Sequence, residues 1–477
     1  MVKATLTLLS EDEIRSISEA SFKVLENTGI KLPSHKVLDT LRNSGVRVDY
    51  DTNRAFIPPE LVHEALNLAP KAIKYSARNP EQDIILDGQK AYAKTDGFDI
   101  PFIRDWETAE RRASSNKDLA MWTKLADYLH NVHFVWVTLA ANDIRPNIRS
   151  LTQLVTVLSN TTKHVEYEAH DSREAQYMIQ IATAIAGGEQ ELRERPLLSA
   201  VQCPISPLTF EPGSIEAAIE FGRAGIPVVY MDMPLVTETS PATLAGTLVI
   251  ITAENLAALV ISQCANPGAP TVFSTCPCLV DPSSGALVSS TLSNLLGSCS
   301  AQIAHYYDLP CEIGAYISSK VLDTQAGYEM ALCLEQILLS GADVICALGG
   351  LEFDYCVSPE KLVIDHEILS QALKYARGLE VNEDTLAVEV IEKVGPGGHF
   401  LAERHTLKHY RELTLTGLAN QDNFDNWHKK GAKTMEQVAK SKVKEILASH
   451  KVAALPVNIF EEVSRVLRQA ETELKEG

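Results

Sequence analysis

An alternation constrains this chain more than any other feature. Between residues 133 and 401 short apolar runs recur, separated by segments of helical spacing. The runs are 133–139 (HFVWVTL), 164–169, 197–203, 228–233, 271–275, 311–317 and 344–348, with a shorter one at 397–401 (GGHFL). Many are continuous rather than alternating and rich in Val, Ile and Ala. That is the pattern of parallel strands buried on both faces. Eight strand candidates, all but the last clearly followed by a helix, predict an α/β protein of the (β/α)8 TIM-barrel type. A doubly wound open sheet is the rival. It lacks support, because no Gly-x-Gly-x-x-Gly follows the first run and 395–398 (GPGG) falls too late for one. A phosphate-cradling Walker A loop is absent as well.

The alternation also divides the chain. Residues 1–90 read as a helical N-terminal extension, 91–405 as the barrel and 406–477 as a helical C-terminal extension. Capping signals mark several helix starts: Ser10 before Glu-Asp-Glu, Ser240-Pro241, Asp323 and Ser358-Pro359. Residues 73–87 read as strand and turn. The Lys-rich 434–450 segment reads as the solvated face of a helix.

Composition bears on four further points. Segment 243–265 is long enough to span a membrane, but Glu254, Asn255 and Gln263 interrupt it, so a buried helix is expected. A net charge of −19 repels phosphate backbones and argues against nucleic acid as a partner. The nine cysteines all lie between Cys203 and Cys356 with no CxxC pair, as in a reduced, cytoplasmic chain. The first residues reach acidic side chains too soon for a signal-peptide core.

A barrel puts its site at the C-terminal ends of its strands. The runs present Thr138 there, then Glu166, Glu168 and His170, then Gln202, Tyr230 with Asp232, and Phe273 with Cys276. Tyr316, then Gly349, Gly350, Glu352 and Phe353, and last His399 follow. Glu166 and Glu168 alternate on one strand and share a face. Such a pair suits acid/base work at a glycosidic bond or a structural salt bridge. Cys276 and Cys278 have no third ligand at metal spacing, so no resident metal is expected. Gly349, Gly350, Gly397 and Gly398 give room for a large planar ligand or for tight turns. Aromatic side chains at strand ends could line one pocket and attract a quaternary ammonium by cation–π interaction.

Taken in order, the longer motifs resemble the trimethylamine methyltransferase family. They include YSARNPEQDIILDG, DWETAERRASSNKDLAMWTKLADYL and PISPLTF. GIPVVYMDMPLVTETSPATLAGTLVIITAENLAALVISQCANPGAP and YYDLPCEIGAYISSKVLDTQAGYE follow, then GADVICALGGLEFDYCVSPEKLVIDHE and GPGGHFLAERHT. The resemblance covers nearly the whole chain. It implies a barrel that passes a methyl group from an amine to the cobalt of a corrinoid (cobalamin) carried by a separate protein, with no metal or nucleotide of its own. It also implies a homo-oligomer, with neither membrane nor nucleic acid as partner.

The family's trimethylamine enzyme carries pyrrolysine, expected here near 316–320, and this chain has none. The substrate implied is therefore a quaternary amine. Glycine betaine leads, ahead of proline betaine, carnitine or γ-butyrobetaine, and a betaine- or corrinoid-binding barrel without turnover is the non-catalytic alternative. A quaternary nitrogen leaves as a neutral amine, so positioning replaces acid catalysis. On this reading Phe98, Tyr230, Phe273, Tyr316 and Phe353 form the cage and Glu166 and Glu168 the negative wall. His399 and Gln202 receive the carboxylate, and Gly349, Gly350, Gly397 and Gly398 face the corrinoid.

Overall fold

Eight parallel strands close into one barrel. They are β1 (Tyr92–Thr95), β2 (Phe134–Trp136), β3 (His164–Tyr167), β4 (Leu198–Gln202), β5 (Val228–Asp232), β6 (Thr271–Thr275), β7 (Cys311–Gly314) and β8 (Val344–Leu348). Each is followed by a helix: α1 (Asn116–Tyr128), α2 (Pro146–Asn160), α3 (Ser172–Ala186), α4 (Pro212–Arg223), α5 (Leu244–Ala265), α6 (Thr291–Tyr306), α7 (Thr324–Leu339) and α8 (Pro359–Ala376). The chain is thus a (β/α)8 barrel. This computed structural model describes residues 6–413 and 417–474, the side chains of 411–413 excepted.

The strand count is right and its register along the chain is off by one. The first strand is Tyr92–Thr95, a short YAKT run whose lysine disguises it. Residues 397–401 are no strand. They form turns outside the barrel, with Phe400 45% and Leu401 84% exposed. An apolar run after glycines reads as a strand only if something covers it, and nothing described here does. The barrel proper ends with α8. The helices Glu383–Leu386 and Val388–Val394 beyond it bury no residue.

The N-terminal segment covers one side of the barrel. Its first helix, Glu11–Lys23, starts at a capping box in which Ser10 and Glu13 satisfy each other's backbone amides. This helix, His35–Asn43 and Pro59–Leu68 all pack on α5. That packing makes α5 a core helix, with 72% of its most apolar stretch buried in protein. Ile251, Leu256, Leu259 and Ile261 are fully covered, each contributing about 1.5–3 kcal/mol. The polar residues that interrupt its apolar sequence, Glu254, Asn255 and Gln263, are partnered. Glu254 accepts from Ser206 Oγ at 2.8 Å and Leu208 N–H at 2.6 Å. Gln263 donates to the Ala269 carbonyl at 2.9 Å. The helix begins at Leu244 rather than at Ser240-Pro241. The C-terminal helices Met435–Ser449 and Val457–Glu473 lie against α8 and α3 respectively.

The hairpin Ile73–Tyr75/Ile84–Leu86 plugs the N-terminal end of the barrel. Tyr75 stacks on His164 with ring centroids 4.3 Å apart and meets Phe134 edge-on. That end is filled, and barrels of this kind carry their sites at the other, C-terminal end of the strands.

Candidate functional site at the barrel mouth

Strand parity decides which side chains enter the barrel. Val229 and Met231 of β5 and Val272 of β6 point inward, in one cluster with Phe134, Trp136 and Val201. Their neighbours Tyr230 and Phe273 therefore point outward, into the helix-facing core. Tyr230 proves it by its hydroxyl, 2.8 Å from Ser262 Oγ on α5. Neither residue belongs to an aromatic cage.

The middle of the barrel holds a charged core. Lys94, Glu166 and Glu312 are completely buried. The Lys94 ammonium is paired with Glu166 and lies 2.6 Å from Glu312 Oε1. Ser199 Oγ donates to Glu166 Oε2 at 2.8 Å. Two carboxylates beside it outweigh the burial of Lys94 and hold it protonated, its pKa raised. Burial, with Glu166 close by, pushes Glu312 up to about 8. Glu166 is thus a partner of Lys94, below the place where a substrate would sit.

Above Lys94 the lining becomes aromatic. The ammonium sits 3.8 Å from the Trp136 ring centroid. Trp136 Nε1–H donates to Glu168 Oε2 at 3.1 Å, and Phe98 stands edge-on to Trp136 at 4.4 Å. Across the mouth Tyr316 and Phe353 stack at 5.3 Å. Gly97 permits this packing, since a Cβ there would fall 1.9 Å from the Trp136 ring.

Two left-handed corners set these rings in place. Phe98 and Asp99 have φ of 69° and 49°, and Glu352, Phe353 and Asp354 have 57°, 53° and 65°. Non-glycine residues pay about 1–3 kcal/mol each for such backbone, a strain that clusters at functional sites. The segments behind the two corners pair in parallel, Phe102 opposite Cys356 and Ile103 opposite Val357. The same Phe-Asp dipeptide therefore follows the first strand and the last, and each corner presents one ring and one carboxyl group.

Those carboxyls are held toward their neutral form. Burial and the nearby Asp99 push Glu168 well above the usual carboxylate range. Burial raises Asp96 to about 6, and burial with Asp96 alongside raises Asp354 strongly. Asp96 Oδ1 accepts the Gly97 N–H at 2.9 Å, while its buried Oδ2 has no hydrogen-bond partner. Asp99 is anchored by Gln153 at 2.6 Å and Tyr167 at 3.1 Å. Burial also keeps the Cys276 and Cys346 thiols protonated.

The structure thus brings together Phe98, Tyr316, Phe353 and Glu168 of the residues singled out from sequence, with Gly350 at the rim. A Cβ on Gly350 would meet Asp96 Oδ2 at 2.2 Å. Gly349 instead accommodates Trp122 of α1 and donates its N–H to Asp365 at 2.8 Å. Gln202 faces outward and is fully used, donating to the Ala169 carbonyl at 3.2 Å and accepting from Ser214 Oγ at 2.5 Å. His399, Gly397 and Gly398 lie in exposed turns beyond α8. Asp232 is bound by Asn255 at 2.9 Å between β5 and α5, and Glu352 by Arg111 at 3.0 Å on the rim.

Lys94, Asp96, Asp99, Glu312 and Asp354 escaped the sequence reading. The repeated Phe-Asp pair at 98–99 and 353–354 was the signal that could have found two of them.

Comparison with known proteins adds the final observations. The profile of a family described as trimethylamine methyltransferase (MTTB) matches residues 2–474. The trimethylamine methyltransferase MttB of Desulfitobacterium hafniense is 34% identical over 466 residues, covering 97% of this chain and 94% of that protein. The glycine betaine methyltransferase of a second strain of that species is 32% identical over 474 residues, covering 98% of each. The crystal structure of the Methanosarcina barkeri monomethylamine methyltransferase superposes with a TM-score of 0.55 at 12% identity, over 100% of this chain and 90% of that one. At that identity the match speaks for the barrel alone.

Proposed function

The chain belongs to the trimethylamine methyltransferase family, and from that premise we propose that its mouth binds a quaternary ammonium and gives one methyl group to the cobalt of a corrinoid on a separate protein. The observation that carries this reading is the lining of the mouth. Four aromatic rings, Trp136, Phe98, Tyr316 and Phe353, gather in one cluster there, with the carboxyl groups of Glu168, Asp96 and Asp354 close by. Aromatic faces attract a cation that cannot donate hydrogen bonds, at about 1–2 kcal/mol per desolvated ring.

The chemistry needs no acid or base from the protein. The N–CH3 bond breaks with its electron pair staying on nitrogen, which leaves as a neutral tertiary amine. The methyl carbon is taken by the two-electron nucleophile, cobalt(I). The protein's part is to orient the methyl group outward and exclude water. Carboxyl groups kept partly neutral suit this role. Full negative charge against the ammonium stabilises the substrate more than the transition state, in which the nitrogen loses its charge.

Glycine betaine is the first substrate to try, supported by the 32% identical relative. Gln202 is already hydrogen-bonded to Ala169 and Ser214, so the betaine carboxylate would need another receptor. Tetramethylammonium and choline, which carry no carboxylate, therefore belong in the same assay. The experiment is anaerobic methylation of cob(I)alamin followed by absorbance, with each of these and trimethylamine. Methylcobalamin with dimethylglycine from glycine betaine is the expected result. Turnover of tetramethylammonium or choline alone would keep the reaction and change the substrate. Silence with every amine, in the presence of intact protein and a family corrinoid protein, would overturn it.

A further inference from the structure

Three ligand-type side chains converge at the opposite end of the barrel from the mouth. His305 lies in the last turn of α6, Cys311 opens β7, and Asp343 directly precedes β8. One donor atom from each lies within 4.8 Å of the other two. His305 Nε2 is 3.3 Å from Asp343 Oδ2 and 3.7 Å from Cys311 Sγ.

Both contacts fall on the same ring nitrogen. A ring nitrogen carries one proton or one lone pair, so it serves the sulfur and the oxygen together only by sharing a single hydrogen. An ion between the three atoms satisfies all of them. Tetrahedral zinc with ordinary bond lengths sets its nitrogen and oxygen ligands about 3.3 Å apart and its nitrogen and sulfur ligands about 3.6 Å apart. The two separations here are close to both values.

The surroundings hold the carboxylate in place. Asp343 Oδ2 accepts the Cys311 N–H at 2.9 Å and Oδ1 accepts the Gly88 N–H at 2.7 Å. Orientation of a ligand by outer hydrogen bonds is typical of built metal sites. Cys311 and Asp343 are buried, while the His305 side chain is 35% exposed. The cluster is thus reachable from solvent on its histidine side.

We propose that His305, Cys311 and Asp343 bind one zinc-class divalent cation, with water as the fourth ligand. Binding forms a metal–sulfur bond and releases the Cys311 thiol proton to solvent. The ion ties the end of α6 to the starts of β7 and β8 and, through Asp343, to the loop before β1. This site is independent of the reaction proposed for the mouth. A soft-to-borderline metal fits the thiolate and imidazole, whereas magnesium and calcium want oxygen alone.

A second group, Asp384, His405 and His409, also converges, but it is more exposed and has no thiol. It serves as the control. The full chain, stripped with chelator, is titrated with Co2+ without air and separately with Zn2+. About one equivalent of Co2+ should give a thiolate-to-cobalt charge-transfer band in the near ultraviolet. The band should vanish in Cys311→Ser and persist in a His405→Ala/His409→Ala variant. Zinc should raise the melting temperature of the wild type and leave that of His305→Ala unchanged. His305 is partly exposed, so its variant folds irrespective of the ion. No band in the wild type overturns the site, as does the same band in Cys311→Ser or undiminished zinc in His305→Ala.

Discussion

Lys94 and Lys163 are both buried in the same barrel, yet their surroundings share almost nothing. Lys163 stands at the foot of the wall, just before β3. Its ammonium donates to three backbone carbonyls, Ala126 and Leu129 at 2.8 Å and Val132 at 2.5 Å. Ala126 lies in the last turn of α1, where carbonyls lack helical partners, and the Leu129 carbonyl also accepts the Val132 N–H at 3.0 Å. Dipoles without a contacting carboxylate do not repay burial, and the pKa of Lys163 falls to about 7. Lys94 lies on the barrel axis between two carboxylates and stays charged. The lesson is that a buried cation can fasten backbone or organise charge, and its partners decide which. Lys163 fastens. Lys94 places a positive charge under Trp136 and balances the glutamates below the mouth.

The comparison breaks most severely at Lys94. Lys94→Met strands Glu166 and Glu312 without a counterion and should cost about 3–5 kcal/mol in denaturant unfolding. Adding Glu166→Gln should recover part of that loss, and no recovery would mean that the pair is not the source. Lys163→Met removes the donor shared by three carbonyls, of which Leu129 keeps the Val132 N–H, and should cost about 1–3 kcal/mol.

The two lysines also predict opposite responses to pH. Between pH 7 and 10 the unfolded chain keeps the Lys163 proton that the folded chain has released. Lys163 therefore makes stability rise with pH there, by at most about 1.4 kcal/mol per unit. Lys94 has a raised folded pKa, so its contribution is complete below the unfolded value and is lost only at higher pH. Unfolding curves of the two Met variants against pH distinguish these slopes.

A smaller effect falls on ligand binding. Trp136→Leu should weaken binding of a tetraalkylammonium about tenfold by calorimetry, in line with one desolvated cation–π contact. Asp96, raised to about 6 and facing Asp354, Lys94 and Lys361, gains its negative charge as pH rises. Binding should therefore strengthen from pH 5 to 7, and Asp96→Asn should flatten that rise. His399→Ala should change stability by less than about 0.5 kcal/mol and leave binding untouched.

Seven strands were legible because strands buried on both faces cannot hide their apolar runs. The same property hid their orientation. Where both faces are apolar, hydrophobicity does not say that Val229 points in and Tyr230 out. Only register against the neighbouring strands does. The strand Tyr92–Thr95 was missed because its lysine is neutralised by Glu166 and Glu312, residues 72 and 218 positions away in the chain. Glu166 and Glu168 were correctly placed on one face, since alternation along a strand needs no partner. Their separate fates, one under the aromatic rings and one beside them, depend on depth along the axis. Depth is a property of closure, absent from any local window.

The pairing of 102–103 with 356–357 has a consequence for the order of folding. It joins segments about 250 residues apart, across the seam where the first strand of the barrel meets the last. Contacts of such long range are costly in loop entropy and form late. The corners bearing Phe98 and Phe353 flank that seam. A chain with six or seven units assembled would have a hydrophobic core and most of its helices but no mouth. Ligand-binding competence should thus appear in the final kinetic phase of refolding, after the far-ultraviolet signal of the helices has recovered.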